Sequence, residues 1–354
     1  MRCVALALIA ILSMFLATFL STFVAMAAPT ASARPPIDLV LLADPSPEVA
    51  KSAQRWIAMF SSVGLDGVQI RAARPGESVG IETRGTPDAP SYHVTGQLAG
   101  GTEMVLPGGR FGLGDSQRLG KWLDELGKHG TPGVTEQKGA FGLLPKQTEQ
   151  ARDGLSGTVD FATKGMAAAA AFDKIGRTLK YPLAIDADIQ QAIGADDPVR
   201  DELQGLSAGT ALAALARPVG AVLRPRETAS GSLEYTLTKG KAGAEAWPIG
   251  WPPDQAEGKI IPQLLESLNV EIRDVPLSQA AAAIQGRFKV PFLWDHNSIL
   301  KQRIDVAKKV SFPNKRAYYV TVLRQLLSQD ELKYSVRVDE AGKPLVWITT
   351  FKTN

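Results

Sequence analysis

VPLSQAAAAIQGRFKVPFLWD, residues Val275 to Asp295, decides how the rest of the chain is read. Pro276 stands where a helix would open, a position at which its missing N–H costs nothing. From there Leu277, Ala280, Ala281, Ile284 and Phe288 recur at i, i+3, i+4, i+7 and i+11, which is one face of a helix. A strand-like segment, Leu268 to Val275, runs into it. An offset of 109 residues carries the stripe back onto Ala168, Ala171, Phe172, Ile175 and Leu179. It also pairs Pro291 with Pro182, Phe292 with Leu183, Trp294 with Ile185 and Asp295 with Asp186. Further on the offset becomes 111, pairing Thr321 with Thr210, Leu323 with Leu212, Leu326 with Leu215, Tyr334 with Leu223, Ile348 with Leu237 and Thr349 with Thr238. Two residues were therefore gained in the loop between. Few positions are identical, but the pattern holds through two helices and several strands, so this is a tandem duplication. Each copy reads strand, helix, strand, strand, helix, strand, strand, the first over 157–238 and the second over 263–351.

With VLRQLLSQDELKYSVRV (Val322 to Val338) and the closing VWITT (Val346 to Thr350), the unit resembles the short N-terminal domain of bacterial secretins and TonB-dependent receptors. The overall layout also resembles a family of secreted bacterial proteins of unknown function. The resemblance rests on a hydrophobic pattern and not on reactive groups. It implies a small α/β unit of the cell envelope with a protein-interaction role beside outer-membrane machines. The sequence runs only four residues past Thr350, to Asn354, which leaves no room for a channel-forming barrel. An accessory or free-standing relative is the expectation.

A length of 354 residues suits about two to three domains, and 45% apolar residues give each a core to bury. Net charge is +3, with Lys and Arg spread along the chain, which argues against a nucleic-acid partner. The short basic clusters Ala307–Lys309 and Asn314–Arg316 read as solvated loop charge. At the N-terminus Arg2 precedes an uncharged run from Val4 to Ala28, with Ala-x-Ala sites at Ala25/Ala27 and Ala31/Ala33. That describes an export signal over 1–33, cleaved or kept as an anchor, since the run exceeds the roughly 20 residues a span needs. The expected location is extracytoplasmic, periplasmic or secreted, with membrane contact only through an uncleaved N-terminal segment. Cys3 lies before the apolar run, so a mature chain would carry no thiol, disulfide or cysteine metal site.

The fold class expected is α+β: three small α/β sandwich domains, the last two being the repeat. In the first, 37–130, Ile37–Ala43 reads as a buried strand and Ser46-Pro47-Glu48 as a helix start. The helix stripe is Val49, Ala53, Trp56, Ile57 and Phe60. Strand candidates follow at Val68/Ile70, Val79/Ile81, Tyr92/Val94 and Met104–Leu106, then a helix capped by Asp115 that buries Leu119, Trp122, Leu123 and Leu126. A mainly antiparallel sheet is expected. Gly108–Gly114 precedes that helix, but lacks the Lys-Ser/Thr of a phosphate loop and dinucleotide spacing, so a chain reversal explains it. The stretches 131–156 and 239–262 read as linkers, the second carrying WPIGWPP, Trp247 to Pro253. Its two tryptophans either pin the copies together or offer an aromatic platform for sugar or peptide.

No catalytic, cofactor or metal residue is assigned. His93, His129 and His296 have no ligand spacing, no G-x-S-x-G elbow occurs, and Asp196-Asp197 are adjacent carboxylates that point apart. Asp295-His296-Asn297, and Asp186-Ala187-Asp188 in the first copy, read as turns. The candidate interaction surface is Trp247, Trp251, Trp294, Asp295, His296 and Asn297. The function expected is a non-catalytic envelope scaffold whose partners are envelope proteins. Two other readings stand beside it: a glycan or peptide binder using the interdomain groove, and a hydrolase needing a cleft of converging polar groups.

Overall fold

The computed structural model describes residues 34–194, 197–241, 243 and 245–351. The segment 1–33 read as an export signal, with Cys3, and Asp196 of the acidic pair lie outside them. Among the described residues no helix is long and apolar enough to cross a membrane. The architecture is α+β, with helices on several small sheets and three separate hydrophobic cores.

The first core belongs to β1 (Ile37–Ala43), α1 (Pro47–Ser62), β2 (Gln69–Arg71), β3 (Gly80–Thr86), β4 (Ala89–Ala99), β5 (Glu103–Leu106), β6 (Gly109–Gly112) and α2 (Ser116–His129). Its sheet has the order β2-β1-β4-β5-β6, with β3 on β4. Three of its pairings, β3–β4, β4–β5 and β5–β6, are antiparallel as expected, but β1 runs parallel to both β2 and β4, so the sheet is mixed. The cause is α1, which carries the chain over one face before β2, and parallel neighbours need such a crossover. Trp56 and Phe60 of α1 and Leu119, Leu123 and Leu126 of α2 cover that face. Ser46 caps α1 through the Val49 N–H, whereas Asp115 turns its carboxylate to the Gly112 N–H and leaves α2 uncapped by a side chain. The glycine-rich stretch is the β5–β6 hairpin. Gly108 has φ +75°, and a Cβ there would lie 1.7 Å from the Val134 carbonyl oxygen, so only glycine admits the short helix α3 (Thr131–Thr135).

The stretch 131–156 is not a free linker. It forms α3, a turn at Ala140–Gly142 and α4 (Pro145–Gly154), and its Leu143, Ala151 and Leu155 enter the first copy's core. That copy continues with α5 (Ala168–Gly176), β7 (Leu183–Ile185), α6 (Ala187–Ala192), α7 (Ala208–Ala216), β8 (Ala221–Glu227) and β9 (Leu233–Lys239). After α8 (Glu257–Ile260) the second copy runs through β10 (Ser267–Pro276), α9 (Leu277–Phe288), β11 (Phe292–Trp294), α10 (His296–Lys301), β12 (Lys309–Tyr318), α11 (Tyr319–Ser328), β13 (Leu332–Val338) and β14 (Pro344–Thr350). The Asp186 and Asp295 segments are therefore helix starts and not turns. Both short helices hold six residues, too few for a hydrophobic period to show.

The sheets β7-β9-β8 and β11-β14-β13 share order and register. Ile185 pairs with Leu237 as Trp294 pairs with Ile348, and Leu223 faces Leu237 as Tyr334 faces Ile348. The offset of 111 holds at hydrogen-bond level: Ala168 N donates to Asp197 O as Leu277 N donates to Lys308 O.

The copies part at one place. In the second, β10 and β12 form an antiparallel ribbon from Ser267↔Tyr318 to Pro276↔Lys309. In the first, only the equivalent end pairs remain, as isolated bridges Thr158↔Ser207 and Ala167↔Pro198. Mid-ribbon the second copy pairs Ile272 with Phe312. The offsets put Thr163 and Asp201 there in the first. Thr163 is fully buried, and its N–H and hydroxyl donate to the Glu202 carboxylate at 2.8 and 3.0 Å. A polar knot has replaced an apolar cross-strand pair, and the ladder opens around it.

Candidate functional site

The most densely bonded polar region is the seam between the copies. Trp247 is 3% exposed, its ring stacked on Phe141 and edge-on to Trp251. Its N–H donates to Leu223 O on the edge of β8, and Trp251 exchanges two backbone hydrogen bonds with Val338 on the edge of β13. The strap read as a linker thus ties one sheet edge to the other. Gly250, at φ +64°, lets it pass Arg337, where a Cβ would sit 3.0 Å from that residue's own Cβ.

Acids of the second copy terminate a helix of the first. Asp339 and Glu340 follow β13, and there Asp339 accepts the Ser207 N–H at 2.8 Å while Glu340 accepts the Thr210 N–H at 3.1 Å. Both N–H groups open α7, whose N-terminus favours negative charge. Glu340 also accepts Trp247 Nε1 at 2.6 Å. Burial pushes its carboxyl above the usual value, and the Trp247 and Thr210 donors offset only part of that.

Asp295 caps α10 through the Ser298 N–H and is fully buried. It takes two bonds from Arg217, at 2.7 and 2.6 Å, and one each from the Ser298 and Thr349 hydroxyls. Burial alone would raise its carboxyl, but Arg217 and Ser298 outweigh that and hold it below the usual range. Asn297 adds an amide bond to Arg217 O. On another side of the seam His296 Nε2 lies 3.0 Å from the Asp201 carboxylate, which also accepts the Trp294 N–H.

A groove of about 700 Å³ opens along this seam, between β8 and β13. Trp247, Asp295 and Asn297 line it, while Trp294 and His296 line a second groove of about 460 Å³ that holds Asp201. Trp251 lines neither, and Arg152 stacks on its ring. The six residues expected to face a partner are thus not one exposed surface. Trp247 and Asp295 are buried, and the set is divided over two faces because it holds the copies together. Sequence reading missed Arg217, Arg337, Asp201, Asp339 and Glu340, each of which finds its seam partner far along the chain. The remaining histidines are apart: His93 bonds Asp38 at 2.6 Å, and His129 lies 3.0 Å from Glu227. Among the described residues no group of three or more His, Cys, Asp and Glu could hold a metal ion.

The ribbon is the second exposed feature, and its edges differ. Along β12 the Gln329 side chain bonds both the N–H and the C=O of Ser311, at 3.1 and 3.0 Å, and Pro313 removes a donor. Lys309, Lys315 and Arg316 add charge, so the clusters read as loops lie on or beside an edge strand. Those are edge guards. β10 pairs with β12 alone among the described strands. Tyr319 N donates to Glu266 O, so by alternation Leu268 and Val270 face β12, and the backbone of Ser267 and Asn269 points to the open edge. Leu265 and Tyr318, 60% and 54% exposed, flank this end.

No family model, no curated protein and no solved structure matches the chain.

Proposed function

We propose that this chain is an exported, non-catalytic scaffold of the bacterial envelope, whose second copy takes up an extended segment of another envelope protein along β10. One observation carries the reading: the ribbon is guarded along β12 and, among the described residues, unpaired along the regular half of β10, Ser267 to Val270. Strand addition draws affinity from main-chain bonds and needs such an edge. The apolar neighbours Leu265 and Tyr318 supply side-chain contact. The apolar N-terminal segment and the resemblance to secretin and receptor N-terminal domains support an envelope setting. The seam residues serve this role indirectly, by fixing the second copy on the first.

Asn269→Pro tests the reading, because it removes the outward donor while leaving the inward bonds of Leu268 and Val270. The protein and this variant are captured from gently solubilised envelopes and weighed against each other. Loss of one recurrent partner, with the melting temperature of the variant kept, is the expected result. An unchanged partner set would remove β10 from the account.

A further inference from the structure

We propose that the groove between the copies binds a small molecule carrying an oxyanion, a carboxylate or a phosphate, held by Arg337 with Lys333 and Lys301. At about 700 Å³ the groove falls in the range of small-molecule sites. Its lining carries five cationic side chains, Arg217, Lys241, Lys301, Lys333 and Arg337, against the single carboxylate of Asp295. Asp295 is already engaged by Arg217 on both oxygens. The rest of the positive charge has no counterpart: among the described residues neither Arg337 nor the three lysines has an ion-pair partner.

Arg337 is the informative residue. Its Nη1 donates to Ile249 O at 2.8 Å and its Nε to Ser335 Oγ at 3.3 Å, and among the described residues no hydrogen bond engages Nη2. Burial, followed by the neighbouring Arg217 charge, lowers its guanidinium to about 10, with the Asp295 carboxylate opposing only in part. A partly buried cation whose one nearby carboxylate, Asp295, is already taken by Arg217 is costly, and a planar guanidinium suits a planar or tetrahedral oxyanion. Arg217 and Arg337 both lie over the Trp347 ring, which fixes them, and Trp247 and Ile249 give an apolar wall for a carbon body. Among the described residues the first copy does not repeat this set. There the residue matching Arg337 is Arg226, and it is neutralised by Glu234 at 2.6 Å. Those matching Lys333 and Trp347 are Val222 and Thr236.

The test titrates inorganic phosphate and, separately, succinate into the full chain at constant ionic strength, following tryptophan fluorescence. A saturable change that sodium chloride does not reproduce is expected, and the tighter of the two probes names the source of the oxyanion. Arg337→Met should weaken binding about tenfold or more and the Lys301→Gln/Lys333→Gln pair by a similar factor, as expected for lost charge-assisted bonds. The lysine pair lies at the groove rim, so it decides the matter should Arg337→Met fail to fold. No saturable response to either probe up to about 10 mM, or binding kept in the lysine variant, would overturn the proposal.

Discussion

The two copies share one plan and differ where it matters. Both set a strand beside a helix and return through a three-stranded sheet in the same register. In the second copy Ile272 and Phe312 close the ribbon, whereas Thr163 and Asp201 hold the same places in the first and the ladder fails between its ends. The freed Asp201 carboxylate turns to His296 and Trp294 of the other copy. The apolar pair accompanies the longer ladder of the second copy, and Asp201, which stands in the place of Phe312, belongs to the seam in the first. The same divergence appears at the short helices: Asp295 is a buried cap bound by Arg217, while its counterpart Asp186 is exposed and caps nothing through its side chain.

The largest effect is expected where this asymmetry is deepest. Arg217→Met would strand the Asp295 carboxylate in the seam, a loss of about 3–5 kcal/mol, measured by urea unfolding; Asp186→Asn should move stability by less than about 0.5 kcal/mol. Similar values for the two would break the comparison.

Phe312→Ala comes next, at about 3 kcal/mol, since Phe312 is 1% exposed in the second core. Amide exchange should rise across β10 and β12 and stay unchanged in α5 and α7. A rise spread over both copies would show that the ribbon is not a local unit.

The buried acids predict opposite pH dependences. Glu340 is raised in the folded chain, so the folded state holds its proton more tightly than the unfolded one. Its contribution is complete below the ordinary value of 4.5 and declines as pH rises from there through the raised one. Asp295 is lowered, so its contribution is present above the ordinary 3.8 and is lost as pH falls through the folded value. Glu340→Gln should flatten the decline on the alkaline side and leave the acid limb unchanged. An unaltered slope in melting temperature against pH would contradict the burial argument.

Much of this fold was legible in residue pattern, because the pattern is what the core is made of. The stripe Leu277, Ala280, Ala281, Ile284 and Phe288 is wholly buried, and the numerical offsets reappear as strand register. The alternative that Trp247 and Trp251 pin the copies describes where they lie, in the seam. The seam acids and cations were not legible. Arg217 meets Asp295 across 78 positions and Glu340 meets Thr210 across 130, and no local spacing encodes such a contact. Six-residue helices hid the role of Asp295, and the crossover through α1, not any strand's own residues, made the first sheet mixed.

The central claim is that the second copy docks a partner where the first has lost the means. A photo-crosslinking side chain placed at Asn269 tests it against the same probe at Asp160, the position 109 residues earlier. In intact envelopes the account predicts one defined adduct from position 269 and none from 160. Equal adducts from both, or none from 269, would contradict it.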